Sequence, residues 1–302
     1  MSNTVLITGA TGLVGKALVK KCLQNGFNVH YLTTRKSKIK LQENYKGFYW
    51  NPQLEIIDIS CFEGVNIIIN LAGSSIAQRW TKAYKSLILS SRKKALELLH
   101  LSIETHDFPV KHIISASAIG IYPDSKTRYY EEDFQGTDIS FLRTVVRSWE
   151  GALKAFNALG VKTTALRIGI VLDKHEGALP KISGPIKGYI GSALGSGDQW
   201  QSWIHIDDLV RMFMFILDSS LEGVFNAVAP NPVRQKDFVK SVANVLKRPI
   251  FFPKVPEFIL NFVLGEMSAI ALESQRVSAQ KIQDLGFEYD FHELDAALCD
   301  LL

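Results

Sequence analysis

Gly9, Gly12 and Gly15 stand three residues apart in the stretch TVLITGATGLVGKAL, which runs from Thr4 to Leu18. Glycines so placed, between an apolar β-branched run and an amphipathic one, can hold a phosphate. Gly9 can make the tight turn, Gly12 can let the backbone approach a pyrophosphate without a Cβ, and Gly15 can let the following helix pack closely. The helix then offers free N–H groups and a positive dipole end to the anion. The pattern is G-x-x-G-x-x-G rather than the G-x-G-x-x-G of many dinucleotide folds. Three glycines alone could serve only a tight strand–helix connection; the strand before them and the helix after them favour the anion.

A second cluster follows the next strand-like run, FNVHYLTT, where the chain continues as RKSKIK. An NAD(H) site usually presents Asp or Glu here to the ribose 2′-hydroxyl. This chain presents Thr34, Arg35 and Lys36, which suit a 2′-phosphate and favour NADP(H) over NAD(H). The plainer alternative is a solvated basic turn made by Arg35, Lys36, Lys38 and Lys40. Further on, INLAG sets Ala72 and Gly73 at the carboxyl end of a strand, where small residues let a ring or ribose lie against the backbone.

These residues need a scaffold that brings strand ends together. The runs TVLIT, FNVHYLTT, VNIIINLAG, HIISASA and KTTALRIGIVL alternate with helical patterns, among them one with Val14, Leu18 and Cys22 on a single face. Continuous apolar strands alternating with helices predict an α/β fold, a Rossmann-like doubly wound parallel sheet covered on both faces. After Leu172 the pattern loosens. The sequence predicts a nucleotide-binding core over 1–230, with an inserted loop region at about 173–202. A small, mostly helical C-terminal domain over 231–302 serves as a substrate or packing region. HIDDLVRMFMFILDSS is predicted to be a helix capped by Asp207 or Asp208, with Trp203 as a packing residue or pocket wall.

Composition bounds the function. The 302 residues are 47% hydrophobic and 21% charged, as in a globular protein. A net charge of +4, with no aromatic platform beside the basic run, argues against nucleic acid as a partner. Cys22, Cys61 and Cys299 form no C-x-x-C pair, so no disulfide framework or zinc site is expected and a reducing compartment is. His205, Asp207 and Asp208 lack a further ligand cluster, and no metal is expected there. The apolar stretches MFMFIL and FILNFVLGEM fall short of the ~20 residues that span a bilayer. No signal peptide is apparent in MSNTVLITG. The expectation is a cytoplasmic protein with a small-molecule substrate and no membrane partner; the oligomeric state is left open.

The motifs TGATGLVG, NLAG and SASAIGIY resemble the extended short-chain dehydrogenase/reductases. Arg79–Trp80, Ser91–Arg92, Trp149–Glu150, LRIGIVL, GSGDQWQSWIHIDDL and APNPV narrow the resemblance. They are similar to the epimerase family proteins related to nucleoside-diphosphate-sugar epimerases, a branch sometimes labelled a cell-division inhibitor. LGEM and SQRV resemble that branch's small C-terminal domain of unknown function, so the likeness runs nearly end to end. It implies a Rossmann-like core, NADP(H) as cofactor, and contacts from Gly9 to Gly15 (Thr11, Gly12, Leu13 and Val14 among them), Thr34, Arg35, Leu71, Ala72, Arg92 and Val171. Where the branch often has Glu after NLAG, this chain has Ser74.

The wider superfamily uses Ser or Thr with a Tyr-x-x-x-Lys pair on one helix face, the Lys lowering the tyrosine pKa so that a proton moves with the hydride. Ser117 falls where the family serine would. The one Tyr-x-x-x-Lys, Tyr122 and Lys126, spans the turn YPDSK instead of a helix. In the expected helix, DISFLRTVVRSWEGALKAF, the Tyr and Lys positions are Val146 and Glu150. Val cannot transfer a proton and Glu has the wrong charge to depress a phenol. Candidate catalytic residues are therefore Ser117 and, should its loop fold back, Tyr122; Glu150 is a carboxylate base only if buried, and otherwise a salt-bridged helix residue. Two functions follow: NADP(H)-dependent hydride transfer on a sugar-like or small carbonyl or alcohol substrate through a non-standard site, or a catalytically degenerate NADPH sensor or regulator.

Overall fold

The computed structural model describes residues 4–136 and 139–302. Met1–Asn3, from which the leader was judged, and Asp138, where the helix DISFLR was expected to begin, lie outside them. The chain runs β1 (Thr4–Thr8), α1 (Leu13–Gln24), β2 (Asn28–Thr33), β3 (Tyr45–Asn51), β4 (Val65–Asn70), α2 (Lys82–His106), β5 (His112–Ala118), α3 (Phe141–Lys154) and β6 (Lys162–Ile168). It continues through β7 (Ile170–Leu172), α4 (Leu179–Lys187), β8 (Trp203–His205), α5 (Ile206–Ser219), β9 (Gly223–Ala227), α6 (Gln235–Val245), α7 (Glu257–Leu264) and α8 (Leu294–Leu301).

The main sheet is a Rossmann-like one. Its order is β9–β6–β5–β4–β1–β2–β3, parallel throughout, with the short antiparallel piece Leu41–Gln42 at one edge. The order reverses between β1 and β4, which leaves a crevice at their carboxyl ends. Both faces are buried because the strands are apolar at successive positions. Val5 and Ile7 pack with Leu18 and Cys22 of α1 and with α5, while Leu6 faces the other way onto Leu96 and Leu99 of α2. Each such side chain contributes roughly 1.5–3 kcal/mol by leaving water.

Three details depart from the sequence reading. The segment YKGFYWN is a strand, β3, parallel to β2, and Gly47 admits the Tyr31 ring, whose Cζ would lie 2.4 Å from a Cβ there. KTTALRIGIVL is two strands. At Gly169 a Cβ would stand 2.4 Å from the Ser202 carbonyl, and past it β7 leaves the main sheet to pair with β8. The cap of α5 is His205, whose Nδ1 accepts from the Asp207 N–H at 3.1 Å. Asp208 is fully buried and accepts from the backbone N–H groups of Asp290 and Phe291, so neither aspartate caps the helix.

Beyond β7 the chain builds a smaller core in which α4, α6 and α8 enclose Trp203, Phe238 and Leu298. Residues 173–202 thus hold a nine-residue helix, α4. The C-terminal part is tied back to the core where Arg276–Val277 pairs in parallel with Tyr129–Tyr130. Among the described residues no helix is long and apolar enough to cross a membrane.

Candidate functional site

The glycine loop sits at the carboxyl end of β1. Gly9 has φ +68°, and a Cβ on it would come within 2.7 Å of the Leu71 carbonyl oxygen. The loop therefore presses against the end of β4. Gly15 is needed for a different contact: its Cβ would meet Gly9 O at 2.2 Å, so α1 packs on the turn itself. Gly12 has room for a Cβ, which would meet only Gly9 O, at 3.4 Å. It begins α1 without a side-chain cap, and the first turn carries no acidic residue. Leu13 and Val14 follow it in that turn, where N–H groups and the dipole end favour an anion.

Sequence reasoning overlooked the polar chain beneath this loop. Thr8 Oγ1 donates to Asn70 Oδ1 at 2.7 Å and accepts from the N–H groups of Leu71 and Ala72 at 3.0 and 3.1 Å. Asn70 Nδ2 in turn donates to Ser115 Oγ at 3.0 Å. One buried line of hydrogen bonds thus ties the ends of β1 and β4 to the middle of β5 and sets the backbone of Leu71–Ala72. The only local signals are Thr and Asn at the last positions of otherwise apolar strands.

A cleft of about 400 Å³ opens over these strand ends, lined by Gly9, Thr11, Thr34, Arg35, Ala72 and Gly73 among others. Arg35 begins a short helical turn, and its N–H donates to Thr33 Oγ1 at 3.2 Å. Arg92 lies under the same shelf. Its guanidinium donates to the carbonyls of Ser74 and Ile88, stands 5.0 Å from the Trp149 ring, and would be 3.0 Å from a Cβ on Gly73. Burial lowers its pKa to about 10. Ser74 is held through its backbone, its N–H donating to Ser91 Oγ at 3.0 Å. Val171 lies on β7 beside Ile204 and packs with Leu13 against one core cluster; a Cβ on Gly177 would stand 3.1 Å from Leu13 Cδ1 and 3.5 Å from the Val171 carbonyl oxygen. A larger hollow of about 730 Å³ lies on the outer faces of α2 and α3, between residues such as Lys93, Glu97 and Ser148. It is away from the glycine loop.

The second group of residues gathers at the ends of β5 and β6. Ser117 Oγ donates to Glu150 Oε1 at 2.7 Å. Arg167 clasps Glu150 in bidentate fashion, Nε to Oε1 at 2.9 Å and Nη2 to Oε2 at 3.0 Å. Arg167 Nη1 also donates to the Tyr122 hydroxyl at 3.0 Å and to the Glu132 carbonyl at 3.1 Å. Tyr122 passes its proton toward Asn226 Oδ1 at 2.7 Å. The guanidinium pKa is raised: burial alone would lower it, and the hydrogen bond and charge of Glu150 overcome that. Burial pushes the Tyr122 phenol up to about 12. Glu150 is thus a partly buried, salt-bridged helix residue. Tyr122 joins Ser117 only through Arg167 and Glu150, and its hydroxyl is sealed in the core. Val146 is buried on α3. Lys126 turns away from Tyr122 to Ser196 Oγ.

Comparison with known proteins places this geometry. The sequence model described as the NAD dependent epimerase/dehydratase family matches residues 5–227, and that of a domain of unknown function (DUF1731) matches 255–301. An epimerase family protein of Staphylococcus aureus strain MRSA252 is 35% identical over 298 residues, covering 98% of each chain. One from Staphylococcus saprophyticus is 37% identical over 301 residues, again covering 98% of each. Among solved structures, the human epimerase family protein SDR39U1 (isoform 2) with NADPH superposes with a TM-score of 0.84 at 28% identity, over 99% of this chain and 98% of that one. A nucleoside-diphosphate sugar epimerase from Corynebacterium glutamicum gives 0.79 at 27% identity, over 100% of this chain and 58% of that one.

Proposed function

The chain belongs to the NAD dependent epimerase/dehydratase family, in the branch of epimerase family proteins with a C-terminal domain of unknown function, and we propose that it is an NADP(H)-dependent oxidoreductase or epimerase acting on a small molecule. The observation that carries this reading is the cleft in which Gly9 and Thr11 of the glycine loop meet Thr34 and Arg35, with Gly12 and the uncapped start of α1 next to it in the chain. A Cβ at Gly12 would fill the space a pyrophosphate needs, and the end of β2 bears a cation and hydroxyls where a carboxylate would select NAD(H). The NADPH held by the human relative supports the same choice.

When bound, the dinucleotide supplies hydride chemistry. The glycine loop and the start of α1 would hold its pyrophosphate and Thr34 and Arg35 its 2′-phosphate, while Thr8 fixes the backbone of Leu71–Ala72 beside them. Ser117 gives its hydroxyl proton to Glu150, which leaves its oxygen lone pair to receive a hydrogen bond from a substrate. Ser117 therefore positions and does not move a proton, and Val146 has none to move. Three cysteines without disulfide partners support a cytoplasmic setting.

The engagement of Ser117 by Glu150 favours a second reading, an NADPH-binding sensor or regulator without turnover. Fluorescence titration with NADPH and NADH tests the shared premise. NADPH should bind more tightly by about tenfold or more, and binding of neither below millimolar concentration overturns both readings. A turnover screen with sugar nucleotides and small carbonyl compounds separates them. Net NADPH oxidation or NADP+ reduction above the blank, or conversion of a sugar nucleotide to its epimer with no net cofactor change, selects the enzyme; tight binding with none of these selects the sensor.

A further inference from the structure

A cavity of about 150 Å³ opens beside the carboxyl ends of β5 and β6. Its lining includes Ala118, Ile119, Leu142, Ile168, Ile170 and Glu273. Ala118 directly follows Ser117 and Ile168 directly follows Arg167, so the cavity adjoins the polar cluster described above. Among its described lining residues, Glu273 is the sole ionisable side chain.

Glu273 stands on the segment that the C-terminal part lays back over the core. Burial, and then the Asp124 carboxylate, raise its pKa to about 7. Asp124 itself accepts from the Ser274 N–H at 2.7 Å. The cations on neighbouring segments are turned elsewhere. Arg276 stacks over Trp200 and Tyr129 at 4.6 and 5.0 Å, and Lys126 reaches Ser196. Gln275 Nε2 donates to the Tyr122 carbonyl at 2.9 Å and to Glu273 Oε2 at 3.3 Å, which leaves Glu273 Oε1 as the carboxyl atom that can carry a donated proton. A carboxyl group in an apolar wall without a facing cation keeps its proton more readily than one in water and so can donate a hydrogen bond.

We propose that this cavity is the substrate subsite for an uncharged carbonyl or alcohol compound about the size of one six-membered ring, whose oxygen receives a hydrogen bond from the Glu273 carboxyl group. The size follows from the volume, since an apolar cavity of about 150 Å³ accepts benzene and this one, mainly apolar, adds only the polar groups of Trp200, Gln201, Ser202 and Gln275 beside Glu273. The neutrality follows from the lining, which offers a diphosphate or carboxylate no Lys or Arg among the described residues. The assignment rests on the reading of the chain as an NADP(H) enzyme and narrows its substrate class away from sugar nucleotides.

Ligand-observed saturation-transfer NMR on the full chain tests it, with cyclohexanone as probe and cyclohexanecarboxylate as control, with and without NADPH. Cyclohexanone should bind to the NADPH complex at about pH 6 and lose roughly tenfold in affinity by about pH 8.5, as Glu273 ionises. Glu273→Gln, which keeps a donor, should bind at both pH values alike, and Glu273→Ala should bind weakly at both. No cyclohexanone binding, equal binding of the carboxylate, indifference to both Glu273 variants, or displacement by NADPH overturns the subsite while NADPH binding stands. Failure of NADPH itself to bind overturns the proposed function, and the subsite with it.

Discussion

Ser117 and Glu150 meet in a single hydrogen bond of 2.7 Å that joins the end of β5 to α3. In the superfamily that the sequence resembles, the Glu150 position carries Lys. Here the reversed charge is stabilised from the next strand by Arg167. The departure is therefore a matched set rather than a lone substitution. A Lys at 150 would face Arg167, so restoring the pair Val146→Tyr and Glu150→Lys would bury two like charges.

The ion pair should dominate the stability of this corner. Glu150→Ala leaves the Arg167 guanidinium buried and unpaired, at a cost of roughly 3–5 kcal/mol in urea unfolding. The double variant Glu150→Leu, Arg167→Met should lose much less than the sum of the two single ones. A double loss equal to that sum would show that the two residues do not act together.

Gly9 and Gly12 should respond differently to alanine. Gly9→Ala puts a Cβ at positive φ and 2.7 Å from a carbonyl oxygen, and should destabilise the fold by roughly 1–3 kcal/mol. Gly12 has φ −82° and ordinary contacts, so Gly12→Ala should unfold within about 0.5 kcal/mol of the parent yet bind NADPH about tenfold or more weakly. Unchanged NADPH affinity in Gly12→Ala would remove the pyrophosphate from this loop.

Arg35→Ala should weaken NADPH binding by about ten- to hundredfold, the worth of a charge-assisted hydrogen bond or two, and leave NADH binding nearly unchanged. Titration of both cofactors against parent and variant reads the ratio. An unchanged ratio would show that Arg35 belongs to a solvated turn.

His112 makes stability fall with acid. It is buried on β5 with Nε2 at 2.8 Å from Thr164 Oγ1, whose own proton goes to the Leu221 carbonyl at 2.5 Å. Burial, and then Lys162, lower its pKa to about 4. The unfolded chain binds this proton near pH 6.5 and the native one only near 4. Its contribution is thus complete above about pH 6.5 and is lost as the pH falls toward 4, amounting to roughly 3 kcal/mol. Urea unfolding at a series of pH values should show this slope in the parent and lose it in His112→Gln.

The sequence revealed what depends on neighbours in the chain. The β1–glycine–α1 unit is legible because an apolar run, a turn and an amphipathic run follow one another within Thr4–Gln24. The absence of a Tyr-x-x-x-Lys pair from α3 is legible for the same reason. What escaped depends on contacts across the fold. Thr8 and Asn70 look like ordinary strand ends until the sheet sets them 2.7 Å apart. Gly169 breaks KTTALRIGIVL because Ser202, far along the chain, needs its space. Asp207 and Asp208 fit the composition of a cap, but His205 already fills that role, and Asp208 is taken by the backbone at 290–291. Glu273 carries no motif; only the return of the C-terminal segment gives it a cavity to face.

That return, through the pairing of Arg276–Val277 with Tyr129–Tyr130, has a consequence for the order in which the molecule is made. On the ribosome the glycine loop and the strands around it, all within residues 4–227, are synthesised well before residue 276. The strand that fastens the cavity wall appears only after them. A nascent chain stalled before Arg276 carries the whole main sheet but leaves Tyr129–Tyr130 without its partner strand. Ligand capture and substrate enclosure are therefore completed at different moments of synthesis.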